Sequence, residues 1–172
     1  MNIDLSGFHD ETVSSIHIEG KLEKNTLDIN GRRIKFIEPI RYEGEIYKVN
    51  GDRLLHININ YKYEEACGRC LESFIKEENT VLSGKLVKKT DKITEAEEDD
   101  EEAIYYEGEN LDLSQYIMSM VILSLPMKPL CDEKCKGLCP KCGTNHNKEE
   151  CDCVVEDIDP RLAKLKDFFP EK

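Results

Sequence analysis

The sequence predicts an α+β fold: an antiparallel, partly barrel-like β-sheet, one main helix, and a C-terminal zinc-knuckle segment ending in a short helix. Three observations carry this. Residues 12–63 hold short β-branched runs punctuated by glycine turns, with no helical pattern between them. Residues 111–125 have apolar side chains at helical spacing. Six of the eight cysteines fall within residues 131–153.

The clearest strand is 55–63. Leu55, Ile57, Ile59, Tyr61 and Tyr63 alternate with His56, Asn58, Asn60 and Lys62. Period two gives a strand with one buried and one wet face. Asn50-Gly51 just before it is a hairpin-turn signal. Earlier strands are expected around Ile16, at 34–37 and at 46–49, with turns at Asn30-Gly31 and Glu43-Gly44. A strand resumes at 74–87, so Cys67 and Cys70 should lie at the turn between two long strands.

In the main helix, expected at 111–125, Asp112 can cap the start. Leu113, Tyr116, Ile117, Met120, Val121 and Ser124 form one stripe, read as core packing, and Pro126 ends the helix. A second short helix is expected at 157–169, with Asp159 as N-cap and Pro160 in the first turn. Its stripe is Leu162, Leu165 and Phe168 or Phe169. The expected organisation is a β domain at 1–90, an acidic linker at 91–110, and a helix, cysteine-rich knuckle and terminal helix at 111–172, packed with 1–90 as one unit.

The net charge is -12, but residues 95–109 alone hold nine acids and no base. Without them 24 basic residues face 27 acidic ones, a balance of -3. An acidic run of this kind reads as a solvated linker. The chain lacks the excess of Lys and Arg that a free duplex-binding protein carries. The N-terminus has neither basic start nor apolar core of a secretory signal. The longest nearly apolar stretch, 117–127, is too short to span a bilayer. The expectation is a soluble, cytoplasmic protein with no membrane partner, where clustered cysteines favour metal over disulfides.

Cys139 and Cys142, in Cys-Pro-Lys-Cys-Gly, are the strongest metal ligands in the sequence. Two thiolates on one tight turn with a glycine behind them suit tetrahedral Zn²⁺. Four ligands drawn from Cys131, Cys135, Cys139, Cys142, Cys151 and Cys153 would close a structural site. A CxC on extended chain points its side chains to opposite faces, so Cys151 or Cys153 could drop out in favour of Cys135 or Cys131. Cys67 and Cys70 admit three readings: half of a second four-cysteine site completed by Cys131 and Cys135, a thioredoxin-type redox pair, or plain thiols. The redox reading needs the motif to open a helix, and 72–87 reads as strand. His146 reads as an exposed loop residue. His9, His17 and His56 lack paired spacing. No nucleophilic triad, phosphate loop or nucleotide fingerprint is present.

The order of these motifs has its own content. Cys67-Gly-Arg-Cys70-Leu71 follows an alternating strand. An acidic gap, Leu111-Asp-Leu, and a helix ending Leu125-Pro126 come next. Then follow Cys131, Cys135-Lys-Gly-Leu-Cys-Pro-Lys-Cys-Gly-Thr-Asn, Cys151-Asp-Cys153, and Asp159-Pro-Arg-Leu-Ala-Lys-Leu165. From about residue 50 to 169 this resembles the YceD family, the large ribosomal RNA subunit accumulation proteins. The resemblance implies a non-enzymatic, bacterial ribosome-biogenesis factor that promotes accumulation or processing of large-subunit (23S) rRNA, with structural zinc and no small-molecule substrate. Family members vary in the later cysteines, which implies that the 139–153 knuckle is a staple used by a subset. The acidity adds a preference for a protein partner over naked RNA, such as a basic ribosomal protein, an rRNA-processing factor or the pre-50S particle. Direct RNA contact stays open. The alternative is a thiol redox protein or sensor using Cys67 and Cys70; a third reading is a nuclease or hydrolase with catalytic zinc.

Overall fold

The computed structural model describes residues 2–10, 12–89 and 103–154. The helix expected at 157–169 lies outside them, as does most of the acidic run. The chain divides into two compact units. One is Met1–Glu65 with Ser73–Pro129; the other is Ala66–Glu72 with Leu130–Lys172.

The first unit is a sheet with one helix. Its strands are β1 Asn2–Asp4, β2 Ser15–Leu22, β3 Thr26–Ile29, β4 Arg32–Phe36, β5 Ile40–Val49, β6 Asp52–Ala66, β7 Ser73–Lys88, β8 Ala103–Tyr106 and β9 Asn110–Asp112; its helix is α1 Ser114–Ser124. Seven strands form the main sheet in the order β2-β5-β6-β4-β3, with β7 on β6 and β8 on β7. β1 and β9 make a separate antiparallel ribbon. β6 takes three partners because it is long: β5 pairs along residues 52–60, β4 at 63–64, and β7 as well.

Two expectations about the sheet are corrected. It is open, not barrel-like: among the described residues the pairings end at β2, β3 and β8. A barrel buries its inner face by closing on itself. Here α1 packs against the sheet instead, through β7. Nor is the sheet wholly antiparallel, since β8 pairs parallel to β7, Lys85↔Ala103 to Lys88↔Tyr106. β8 lies in the stretch read as acidic, where its short Ala-Ile-Tyr-Tyr run is outweighed by the surrounding carboxylates.

The turns follow from residue chemistry. Asn30-Gly31 and Asn50-Gly51 both have positive φ (50° and 81°, 52° and 91°). Each pair connects directly bonded strand ends, Ile29↔Arg32 and Val49↔Asp52. This is the two-residue hairpin whose twist matches the sheet. Glu43-Gly44, in contrast, is no turn: β5 runs through it. A Cβ on Gly44 would stand 2.2 Å from the His56 carbonyl oxygen, so glycine is there to let two backbones approach.

The alternating face of β6 is core as read: Leu55, Ile57, Ile59, Tyr61 and Tyr63 are buried. Leu113, Ile117 and Val121 meet them from the helical side, with Tyr116 and Met120 partly buried. The helix starts later than expected because Leu111 and Asp112 belong to β9. The Asp112 carboxylate accepts the Ser114 N–H at 2.9 Å from the residue just before the N-cap position, which Leu113 occupies. Beyond the helix, Arg32 forks onto buried Glu65 (Nε to Oε1 2.6 Å, Nη2 to Oε2 2.9 Å) and donates to the Pro126 carbonyl. The bidentate pair thus ties the helix exit to β4 and β6. Among the described residues, no helix is long and apolar enough to cross a membrane.

Candidate metal centres

Both cysteine groups lie in the second unit. In the first group, the chain leaves β6 and reverses over Cys67-Gly-Arg-Cys70. Cys67 N–H donates to the Glu72 carbonyl and Leu71 N–H to the Cys67 carbonyl, both at 2.9 Å. The Arg69 N–H points at the Cys67 sulfur, 3.4 Å away. The Arg69 guanidinium holds the backbone opposite, donating to the carbonyls of Glu133 (3.0 Å) and Cys135 (2.8 Å). The Arg69 carbonyl in turn accepts the Leu138 N–H at 3.2 Å. These bonds bring Cys131 and Cys135 to the first turn.

The four sulfurs of Cys67, Cys70, Cys131 and Cys135 all lie within 4.8 Å of one another. Cys67 to Cys135 is 3.9 Å and Cys70 to Cys131 is 3.7 Å. Thiolates at about 2.3 Å from one tetrahedral ion stand roughly 3.8 Å apart. The spacing therefore fits a shared metal ion.

The second group is built on Cys139-Pro-Lys-Cys142. Gly143 N–H donates to the Cys139 carbonyl at 2.9 Å, and Cys139 N–H to the Thr144 carbonyl at 2.8 Å. Cys139, Cys142, Cys151 and Cys153 bring their sulfurs together within the same 4.8 Å. Both members of the CxC take part. Residues 151–154 form no strand, so the strict alternation of extended chain does not hold there.

The electrostatics suit anionic sulfur. Burial pushes the Cys67 thiol up, but backbone N–H groups of Cys70, Cys131 and Arg69 outweigh it and bring it down to about 6. The Thr144 hydroxyl and N–H bring Cys142 down to about 6; the hydroxyl oxygen is 3.1 Å from the sulfur. Each group also holds a thiol driven the other way. Cys131 is pushed up to about 12 by burial and by the sulfurs of Cys67, Cys135 and Cys70. Cys153 is pushed up to about 12, above all by Cys142. Without a cation, four sulfurs this close cannot all ionise; a divalent ion removes that conflict.

His146 joins neither group. It is half-buried, and its N–H donates to the Gly137 carbonyl at 3.0 Å. His56 Nδ1 lies 2.7 Å from Ser83 Oγ and His9 Nε2 3.6 Å from Glu109, both away from sulfur. Three supporting residues were not singled out by sequence reasoning: Arg69, Thr144 and Asn147. Asn147 Nδ2 donates to the Cys135 sulfur at 3.2 Å while its Oδ1 accepts the Lys136 N–H at 2.8 Å. Their only signal was polar residues interleaved with the cysteines.

A family model described as "Large ribosomal RNA subunit accumulation protein YceD" matches residues 55–169. The chloroplastic large ribosomal RNA subunit accumulation protein YCED homolog 1 of Arabidopsis thaliana is 41% identical over 59 residues, 34% of this chain and 18% of that protein. Its Zea mays counterpart is 35% identical over 60 residues, 34% and 20% of the two chains. An uncharacterized protein of Mycobacterium tuberculosis is 37% identical over 103 residues, covering 60% of this chain and 49% of that one. The matches thus span half or less of these relatives' own lengths. No solved structure matches. Since the matched segment runs from β6 through α1 and both cysteine groups, the chain belongs to the YceD family of large ribosomal RNA subunit accumulation proteins.

Proposed function

We propose that this protein is a non-enzymatic, cytoplasmic ribosome-biogenesis factor that promotes accumulation or processing of large-subunit (23S) rRNA. The observation that carries the reading is family membership across residues 55–169. Two plant relatives carry large-subunit rRNA accumulation in their names. Its partner is a ribosomal protein, an rRNA-processing factor or the pre-50S particle. Each cysteine group holds one structural Zn²⁺. Cys67, Cys70, Cys131 and Cys135 ligate the first; Cys139, Cys142, Cys151 and Cys153 ligate the second. Four thiolates per ion leave no open position for a reacting water, which favours scaffolding over catalysis. The redox reading of Cys67 and Cys70 has less support. Their motif caps a hairpin between β6 and β7 rather than opening a helix.

The test is genetic and biochemical. Cells lacking the protein should lose mature large-subunit rRNA relative to small-subunit rRNA, and the gene should restore it. An unchanged ratio of the two rRNAs would overturn the ribosomal role.

A further inference from the structure

Among the described residues, the pairings of the main sheet end at β2, β3 and β8. β3 and β8 have four residues each, and short edges resist further pairing. β2 has eight and no proline. Its register with β5 runs unbroken from Ser15↔Tyr47 to Leu22↔Ile40, so no bulge interrupts it. In the same register, the Lys48 N–H donates to the Ser14 carbonyl at 2.8 Å. Antiparallel strands turn alternate residues toward alternate neighbours. The even-numbered residues of β2 therefore bond to β5. The N–H and C=O groups of His17, Glu19 and Lys21 point the other way, to the free edge.

The charges along this edge work against the sheet they belong to. Glu19 lies opposite Glu43, and Lys21 lies opposite Arg41. Like charges at directly opposed positions destabilise a strand pair. Glu19 and Lys21 are exposed, and among the described residues neither has an ion-pair partner. A charge on an edge usually deters pairing. Two of opposite sign, two residues apart, deter only the wrong register.

We propose that β2 pairs antiparallel with β2 of a second copy, about a two-fold axis at Gly20. Glu19 of each copy then stands opposite Lys21 of the other, in hydrogen-bonded pairs. Ile18 stands opposite Leu22, and the two glycines meet at the axis. Each like-charge pair of the monomer thus gains the opposite charge beside it. The contact is self-complementary, as a two-fold interface requires. This is the one register that sets Glu19 against Lys21. Moving the axis to Glu19 sets Glu19 against itself and Lys21 against His17. Moving it to Lys21 sets Lys21 against itself, and moving it to Ile18 faces Lys21 with Ser15. The pairing does not depend on the ribosomal reading.

The test is sedimentation velocity on the full chain, over a concentration series in a thiol reductant that excludes intermolecular disulfides. Residues 18–22 of each copy make less than a standard interface, so association should be weak and rise with concentration. Glu19→Lys and Lys21→Glu should each lower it by about tenfold or more, since each turns two attractive pairs into two repulsive ones. Mixed in equal amounts, the two variants should associate with each other as strongly as the wild type does with itself. At dilutions where the wild type is monomeric, each variant should melt no lower than wild type, because each also removes one like-charge pair within its own sheet. A wild type that stays monomeric across the series would overturn the pairing and leave the edge to a strand of another protein. A dimer that both variants leave intact would overturn it too, as would variants that stay apart when mixed. Variants that melt lower at dilution would remove the charge argument on which it rests.

Discussion

The two cysteine groups have the same donor set and opposite construction. The first joins positions 61 to 68 residues apart and buries three of its four cysteines. The second lies within fifteen residues and buries one. Closing the longer loop costs about 1.5–2 kcal/mol more chain entropy than closing the nine-residue step from Cys142 to Cys151. The bond network from Arg69 to Glu133, Cys135 and Leu138 supports that closure. The difference separates cysteine density from structural weight. With metal bound as proposed, the sparse pair at 67 and 70 would close the long loop, and the dense run would close locally.

The largest effect expected from this contrast comes from removing one ligand of each group. Cys70→Ser should lose one of two zinc equivalents and open the second unit to proteolysis between residues 130 and 154. Cys142→Ser should also lose one equivalent but leave the bonds around Arg69 protected. Zinc analysis with limited proteolysis checks this. Equal protease sensitivity in the two variants would end the distinction.

A smaller effect, on rate, should be visible in the unmodified protein. The exposed group should give up its ion to a chelator first, so release should be biphasic with phases separated by about tenfold or more, as expected when one site opens locally and the other only with the unit. Cys142→Ser should remove the fast phase. A single phase accounting for both equivalents would place the groups in one cooperative unit.

Glycine substitutions come next. Gly137 and Gly143 both have left-handed backbone, φ +79° and +76°. A Cβ at 137 would stand 3.1 Å from the Arg69 carbonyl oxygen, whereas one at 143 meets nothing within 4 Å. Both alanine variants incur the backbone penalty of about 1–2 kcal/mol; only Gly137→Ala also strains the contact that assembles the first group. Thermal unfolding should rank Gly137→Ala as the more damaging. The reverse order would mean that the Arg69 contact is dispensable.

The alternation at 55–63, the Asn-Gly hairpins and the buried stripe of α1 were legible because each is a local pattern with a local cause. The open edge and the parallel β8 were not, since strand pairing at a distance leaves no period to count. Glu43-Gly44 misled because a glycine that makes a turn and one that admits a neighbouring backbone look alike in sequence. For the cysteines, the knuckle at 139 and 142 could be read from spacing. The partition of the other six was one of several readings that spacing left open; the contacts of Arg69 and the irregular chain at 151–154, which bring the sulfurs together that way, are encoded by no spacing rule.

The smallest expected effect tests whether the two groups are independent. Asn147 sits in sequence between Cys142 and Cys151, inside the loop of the second group, yet its amide donates to the Cys135 sulfur of the first. Its Oδ1 also fixes the Lys136 N–H beside that cysteine. Hydrogen bonds to ligating atoms tune a metal site, and losing one typically lowers affinity by about tenfold or more. Asn147→Ala should therefore weaken the first ion by about tenfold and leave the second unchanged, although the substitution lies in the second loop. Zinc competition in the Cys142→Ser background, where only the first ion is bound, reads the first affinity alone. The Cys70→Ser background reads the second. If Asn147→Ala weakens only the second ion, the loop acts through its own cysteines. The first group would then be independent of it, and the contrast would be one of burial alone.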